Sequence, residues 1–185
     1  MDAMTHPADP NPSPDDPRPS TSPSRRDGRP LTAAERALVR ETFGDAIDVD
    51  PVRVHRRPWF PFQPRNVTMA PRGHLHFHPA GSAYRACFAE AGLGLQAHFI
   101  HEMVHVWQHQ QGLNLVLRRH PFCRYHYTIK PGWTLARYGI EQQAEIVRHV
   151  FLLRHGAIVP GAPPLATLET ILPFPRSPAS PQTLV

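Results

Sequence analysis

Cysteine is nearly absent from this chain: Cys87 and Cys123 are the two it has in 185 residues. That number excludes a disulfide framework and a Cys-rich zinc knuckle, and both thiols read as small buried apolar residues. Lysine is scarcer still, since Lys130 stands alone among 20 basic side chains. The net charge of +5 is thus an arginine excess. No aromatic-interleaved basic motif accompanies it, so nucleic acid is not expected as a partner. Long hydrophobic runs are missing too. Without about 18 consecutive apolar residues no membrane-spanning helix is expected. The acidic, Pro-rich start, Met1 to Asp16, lacks the charged and apolar regions of a signal peptide. The expectation is synthesis and residence in the cytoplasm, with any export left to a specialised secretion system.

Proline, by contrast, is abundant, and 15 of the 23 prolines lie in residues 1–30 and 156–185. With Ser, Asp, Arg and Ala around them and no apolar period, these stretches read as two disordered tails. Residues 31–155 remain as one domain, for which the 41% apolar content of the chain suffices.

Along that domain, Thr32 and Glu35 form a capping box ahead of a short amphipathic helix with Ala37, Leu38 and Phe43, ended by Gly44. Val52 to His55 alternates as a half-buried strand, and Trp59, Phe60 and Phe62 lie in an irregular Pro-rich connector. Asn66 to Met69 and His74 to His78 read as two more strands around a turn at Gly73, which together predict a small antiparallel sheet. From Ser82 the period turns helical, with Tyr84, Cys87, Phe88 and Ala91 on one face until Gly92 and Gly94 break it. A longer helix follows, in which Leu95, Phe99, Met103, Val106 and Trp107 form a core stripe up to Gly112. After a loop from Arg118 to Trp133, Thr134 can cap a last helix that buries Ile140, Ala144, Val147 and Phe151 and ends at Gly156.

The long helix carries His101-Glu102-x-x-His105. Four residues apart, the two imidazoles share one face and can clasp a single tetrahedral ion. Glu102, about a quarter-turn away, cannot join them as a ligand but can reach a water on the ion, as a general base must. In a chain with 13 histidines the motif alone is not decisive. A second helical pair, Glu141 and Glu145, adds weight, because it offers a third ligand and an acid to steady a histidine from behind. The plainer reading of that pair is a solvated face with a Glu145–Arg148 ion pair.

Glu141-Gln142-Gln143-Ala144-Glu145 resembles the E-x-x-A-D element of gluzincins, with Glu where Asp is usual. The resemblance implies that Glu141 binds zinc and Glu145 supports a histidine ligand. A wider likeness covers roughly residues 31–155. Phe43-Gly44, Val52-Arg53-Val54-His55, Thr68, His76-Phe77-His78-Pro79, His98 to Gln108 and the run from Tyr138 are similar to the H-E-x-x-H metallopeptidase domain of extracellular contractile-injection-system cargo proteins. Within that group the chain is most similar to short bacterial Vgr-related proteins. The likeness implies a minimal zincin-like α+β fold, with the active-site helix and a second ligand-bearing helix against the sheet. It also implies one Zn2+ ion and partners in a secretion or injection apparatus.

With His101, His105 and Glu141 as ligands, the fourth position falls to water, the arrangement of a catalytic zinc site. The expected reaction is hydrolysis of a peptide or protein substrate, with Glu102 moving the proton. Tyr127, His126, Tyr138 or Arg124 could stabilise the oxyanion, and the sequence does not choose among them. His74, His76 and His78 share one strand face, which makes a rival metal site conceivable although nothing nearby supplies the fourth partner and second shell it would need. By analogy with zincins the strand could instead border the cleft, its histidines lining a substrate groove. His98 and His109 read as half-exposed helix histidines, and Trp107 and Gln108 as support behind the site. The competing function is a catalytically silent, zinc-stabilised adaptor of an injection apparatus, in which the same ligands serve folding.

Overall fold

Thr32 opens the first helix as its spacing predicts. In the computed structural model, which describes residues 28–118 and 124–174, helix α1 spans Ala33–Phe43. Both arms of its capping box are formed, and Gly44 ends it with a positive φ of 58°. Cys123, residues 1–27 of the first Pro-rich end and residues 175–185 of the second lie outside the described residues. Glu35 does more than cap. It is fully buried and accepts two hydrogen bonds from Arg29 and one each from the Thr32 and Phe88 backbone N–H groups. A buried carboxylate so fully satisfied ties three chain segments together, and its truncation would leave the partly buried Arg29 guanidinium and two amides unmatched.

The sheet is mixed rather than antiparallel. Strands β1 (Arg29–Pro30) and β2 (Arg53–His55) pair antiparallel, but β2 pairs parallel with β3 (Leu75–His76). The strand expected at Asn66 to Met69 is reduced to one antiparallel bridge between Met69 and His76. Strands this short follow from their Pro-, Gly- and Arg-rich flanks, which interrupt pairing after two or three residues.

The helix expected from Ser82 to Ala91 does not form. Tertiary partners outcompete local bonds there. The Phe88 amide is donated to Glu35, and the Ala89 and Ala91 carbonyls accept from the Gln96 side chain. The rings of Phe77, Phe88 and Phe99 stack in series at 5.1 Å centroid spacing.

Helix α2 (Leu93–Gln110) is enclosed on nearly every side. Phe99, Ile100, Met103, Val104 and Val106 are fully buried, and so, within a few per cent, are His101, Glu102, His105 and Gln108. Against it packs α4 (Ile140–Arg154), through Ala144, Ile146, Val147, Val150 and Phe151. The short α3 (Leu115–Arg118) lies between them in sequence. Thr134 does not cap α4. It precedes a 3-10 turn at Leu135–Arg137, and Gly139 caps α4 instead, its N–H donated to Gln142 Oε1.

The packed core also runs past the boundary expected at residue 155. Helix α5 (Leu165–Glu169) follows a Pro-rich turn and packs on α4, and Leu168, Ile171 and Phe174 are buried in the core, Phe174 meeting the rings of Phe43 in α1 and Trp107 in α2. Proline content there marks a rigid connector rather than a tail, because three apolar anchors return the chain to the core. At the other end β1 lies within the stretch assigned to the first tail, and Arg29 is held by Glu35.

Candidate metal centre

Helices α2 and α4 bring the two sequence pairs face to face. The His101 and His105 rings meet edge-on at 5.2 Å, and Glu141, in the first turn of α4, presents Oε2 to both Nε2 atoms, at 3.3 Å and 3.2 Å. One ligand atom from each of these three buried residues lies within 4.8 Å of the others. Among the described residues this is the one group of His, Cys, Asp and Glu side chains that converges in this way.

The ring orientations are set from behind. The Gln108 amide nitrogen donates to Ile140 O and Gln143 Oε1, so Gln108 Oε1 is left to accept from His105 Nδ1–H at 2.8 Å. The His105 Nε2 lone pair then faces the cluster. That atom is buried and makes no hydrogen bond among the described residues. Glu145 does the equivalent for His101, its Oε2 lying 3.4 Å from Nδ1. Glu145 is held in turn by His149 Nε2 at 2.9 Å and Arg148 at 2.6 Å. Tyr127 donates its hydroxyl to His149 Nδ1 at 2.7 Å. The ion pair with Arg148 and support of His101 therefore coexist on one carboxylate.

Electrostatics favour a cation here. Burial disfavours charge on His101, yet hydrogen bonds to Glu141 and Glu145, with Glu102 nearby, push its pKa up to about 9. Burial also works against the Glu145 carboxylate, but His101, His149 and Arg148 hold it well below the usual carboxylate range. Two nitrogens and a carboxylate oxygen aimed at one point, with Glu102 buried and Glu145 partly buried beside them, suit a divalent ion that takes over the charge the imidazolium otherwise supplies.

Glu102 is 2% exposed, and its Oε2 has no hydrogen-bond partner among the described residues. With His101 it lines a polar cleft of about 370 Å³, together with Asn66, Thr68, His98 and Arg148. Burial pushes His98 below its usual pKa, and its Nε2 bonds Thr68 Oγ1 at 2.8 Å.

The oxyanion candidates are dispersed. Tyr127 is engaged with His149, and burial and the Glu145 charge raise its pKa further from reaction. Tyr138 is buried against Trp133 and accepts from the Lys130 N–H. His126 and Arg124 are exposed, the former giving its carbonyl to Gln142. Tyr125, which sequence reasoning missed, is the one beside the cluster. It is half exposed, and its ring lies 22° from parallel to His101 at 6.1 Å. No local pattern distinguishes it from its tyrosine neighbour; only the fold does.

The rival histidines are an aromatic layer. The His76 ring stacks on His55 at 4.5 Å, with His74 edge-on to His55 and Trp59 edge-on to His76. Burial, with His55 and Arg57 nearby, pushes the His76 pKa down to about 4, so the ring is neutral at physiological pH.

Fold and site together define a small α+β protein with a buried two-histidine, one-carboxylate cluster on paired helices. No protein-family model matches the chain. A solved structure, the effector domain of Pseudomonas aeruginosa VgrG2b, superimposes with a TM-score of 0.65 at 34% identity, over 83% of this chain and 88% of that one. The type VI secretion system spike protein VgrG2b of the same organism is 41% identical over 140 residues, 70% of this chain. The chain belongs to the family of that effector domain. It spans 13% of the length of the whole spike protein.

Proposed function

We propose that this chain is a zinc-dependent peptidase of zincin-like architecture, delivered as an effector through a type VI secretion apparatus. The convergence of His101, His105 and Glu141 beside a buried, unpartnered Glu102 oxygen carries the chemical half of this reading. Kinship with a spike protein's effector domain supports the delivery half. Synthesis in the cytoplasm followed by export through that apparatus fits the chain, in which no described helix is long and apolar enough to cross a membrane.

His101 Nε2, His105 Nε2 and Glu141 would hold the ion. Zinc, when bound, polarises a substrate carbonyl and lets water ionise near neutral pH. The Glu102 carboxylate accepts the proton of the attacking water and delivers it to the amide nitrogen, as the new C–O bond forms and the C–N bond breaks. Gln108 and Glu145 keep both imidazoles in the tautomer that leaves Nε2 bare. A site built only for folding has no use for Glu102, which favours turnover over the silent-adaptor reading.

The test pairs metal content with cleavage. One zinc per chain, retained in Glu102→Gln while hydrolysis of a broad peptide library falls by about two to four orders of magnitude, is expected. Full activity in Glu102→Gln, or a wild type that holds zinc and cuts no peptide, would leave the adaptor reading in its place.

A further inference from the structure

A cavity of about 580 Å³ opens beside the cluster, with His105 and Glu141 at its edge. The rest of its lining is almost wholly apolar, chiefly Trp59, Val67, Met69, Leu115 and Ile140. On the other side of Val67 and Tyr125, which border both spaces, lies the polar cleft of Glu102, Thr68 and Arg148. A polypeptide laid across the ligands would therefore meet an apolar recess on one side of the reacting bond and a polar one on the other.

We infer that the Trp59–Met69–Leu115 cavity is the specificity pocket of this site, and that it selects substrates with a large apolar or aromatic side chain next to the bond cut. This rests on the hydrolytic reading above. Such a side chain leaves water for a pocket that offers it dispersion contacts, whereas a charged one would lose its hydration against a lining whose ionisable groups among the described residues are the ligands His105 and Glu141 at its edge, with the Tyr125 hydroxyl at the rim.

The wall is built in advance of any ligand. Gln63, 3% exposed, accepts the Trp59 N–H at 2.7 Å and donates to the carbonyls of Val67 and His76 at 2.8 Å and 3.1 Å. The Trp59 ring is gripped between His76 at 5.1 Å and the Arg72 guanidinium at 5.3 Å. Phe60, Val116 and Tyr125 at the mouth are 39%, 52% and 50% exposed, an apolar rim unusual for solvent-facing positions and suited to an extended apolar partner.

The test profiles cleavage of a randomised peptide library by the full zinc-loaded chain and by Met69→Trp, which fills the pocket, and Met69→Ala, which enlarges it. In the wild type, Phe, Leu, Met or Trp should exceed Ala at one position adjoining the cut by about 10- to 200-fold in kcat/KM. Met69→Trp should erase that preference and Met69→Ala should move it to bulkier residues. Cleavage without such a preference, or the same preference in both variants, overturns the pocket assignment and leaves hydrolysis standing. If no peptide is cut, hydrolysis fails by itself, and the pocket is judged by NMR titration with the acetyl amides of phenylalanine, alanine and lysine. Shifts with the phenylalanine probe alone, lost in Met69→Trp, sustain it. Equal shifts with all three probes, or shifts unchanged in the variant, reject it.

Discussion

The two walls of the cleft are held by different means. On the helical side α2 and α4 share a continuous apolar core, and a buried amide pair, Gln108 and Gln143, joins the His105 ring to the Ile140 and Tyr138 carbonyls. On the loop side residues 59–71 have almost no regular structure, and their geometry hangs on Gln63 and on the stack of His55, His76 and Trp59. The candidate ligands thus sit on the part of the molecule with redundant support. The surface that would choose a substrate sits on the part that a few side chains define. Such a division would let one wall vary while the other keeps the proposed chemistry.

Removing a ligand should break the helical side hardest. In His105→Ala or Glu141→Ala zinc affinity should fall on the order of a thousandfold or more, beyond the roughly 10- to 100-fold cost of losing a supporting partner. Competition against a graded chelator measures this, and circular dichroism should find the helices intact.

Acid should act next, and on the loop side. The unfolded chain takes up a proton on His76 near the ordinary pKa of about 6.5, whereas the buried native ring resists it down to about 4. Its contribution is therefore fully present above pH 6.5 and is lost as the pH falls toward 4, by at most about 3 kcal/mol, with no further change from this group below. Denaturant titrations across that range should give a shallower slope for His76→Phe than for the wild type. Identical slopes would place the acid sensitivity elsewhere.

Gln108→Ala should separate ligand from support. It removes the acceptor that fixes the His105 tautomer, so zinc binding should weaken about 10- to 100-fold. Gln143 and Ile140 would also lose a buried donor, costing about 1–3 kcal/mol in denaturant unfolding. An unchanged affinity would mean that the ring keeps its orientation without the amide.

The smallest effect is expected from Gln63→Ala. It should cost roughly 1–2 kcal/mol and raise amide exchange in residues 59–67, while zinc affinity stays within about twofold because Gln63 bonds the backbone of Trp59, Val67 and His76 and not His101, His105 or Glu141. A large loss of zinc would show the two walls to be one cooperative unit.

Much of the helical side is legible in the residue order. The H-E-x-x-H spacing, the Glu141–Glu145 spacing, and the Thr32–Glu35 capping box are local patterns, and helical geometry alone says which side chains share a face. The loop side is not legible in that way. The period through Tyr84, Cys87 and Phe88 is as good as that of a real helix, yet Glu35 and Gln96 capture the backbone groups a helix would use. His74, His76 and His78 alternate as ligands on a strand would, but the ring of His55 intervenes and turns the central one into packing. Proline-rich composition misplaced the domain's end, because Leu168, Ile171 and Phe174 are too sparse to make a period and still sufficient to anchor the chain.

The order of residues by itself determined which atoms could bind an ion, since turns of a helix repeat at a spacing independent of what surrounds them. Only the tertiary structure decided that Glu141 meets both imidazoles, that Tyr125 rather than Tyr127 or Tyr138 lies beside the His101 ring, and that an apolar chamber adjoins the cluster. Those relations join segments tens of residues apart, and what sets them is the closing of a shared core, a sum of many weak contacts that no short stretch of sequence contains.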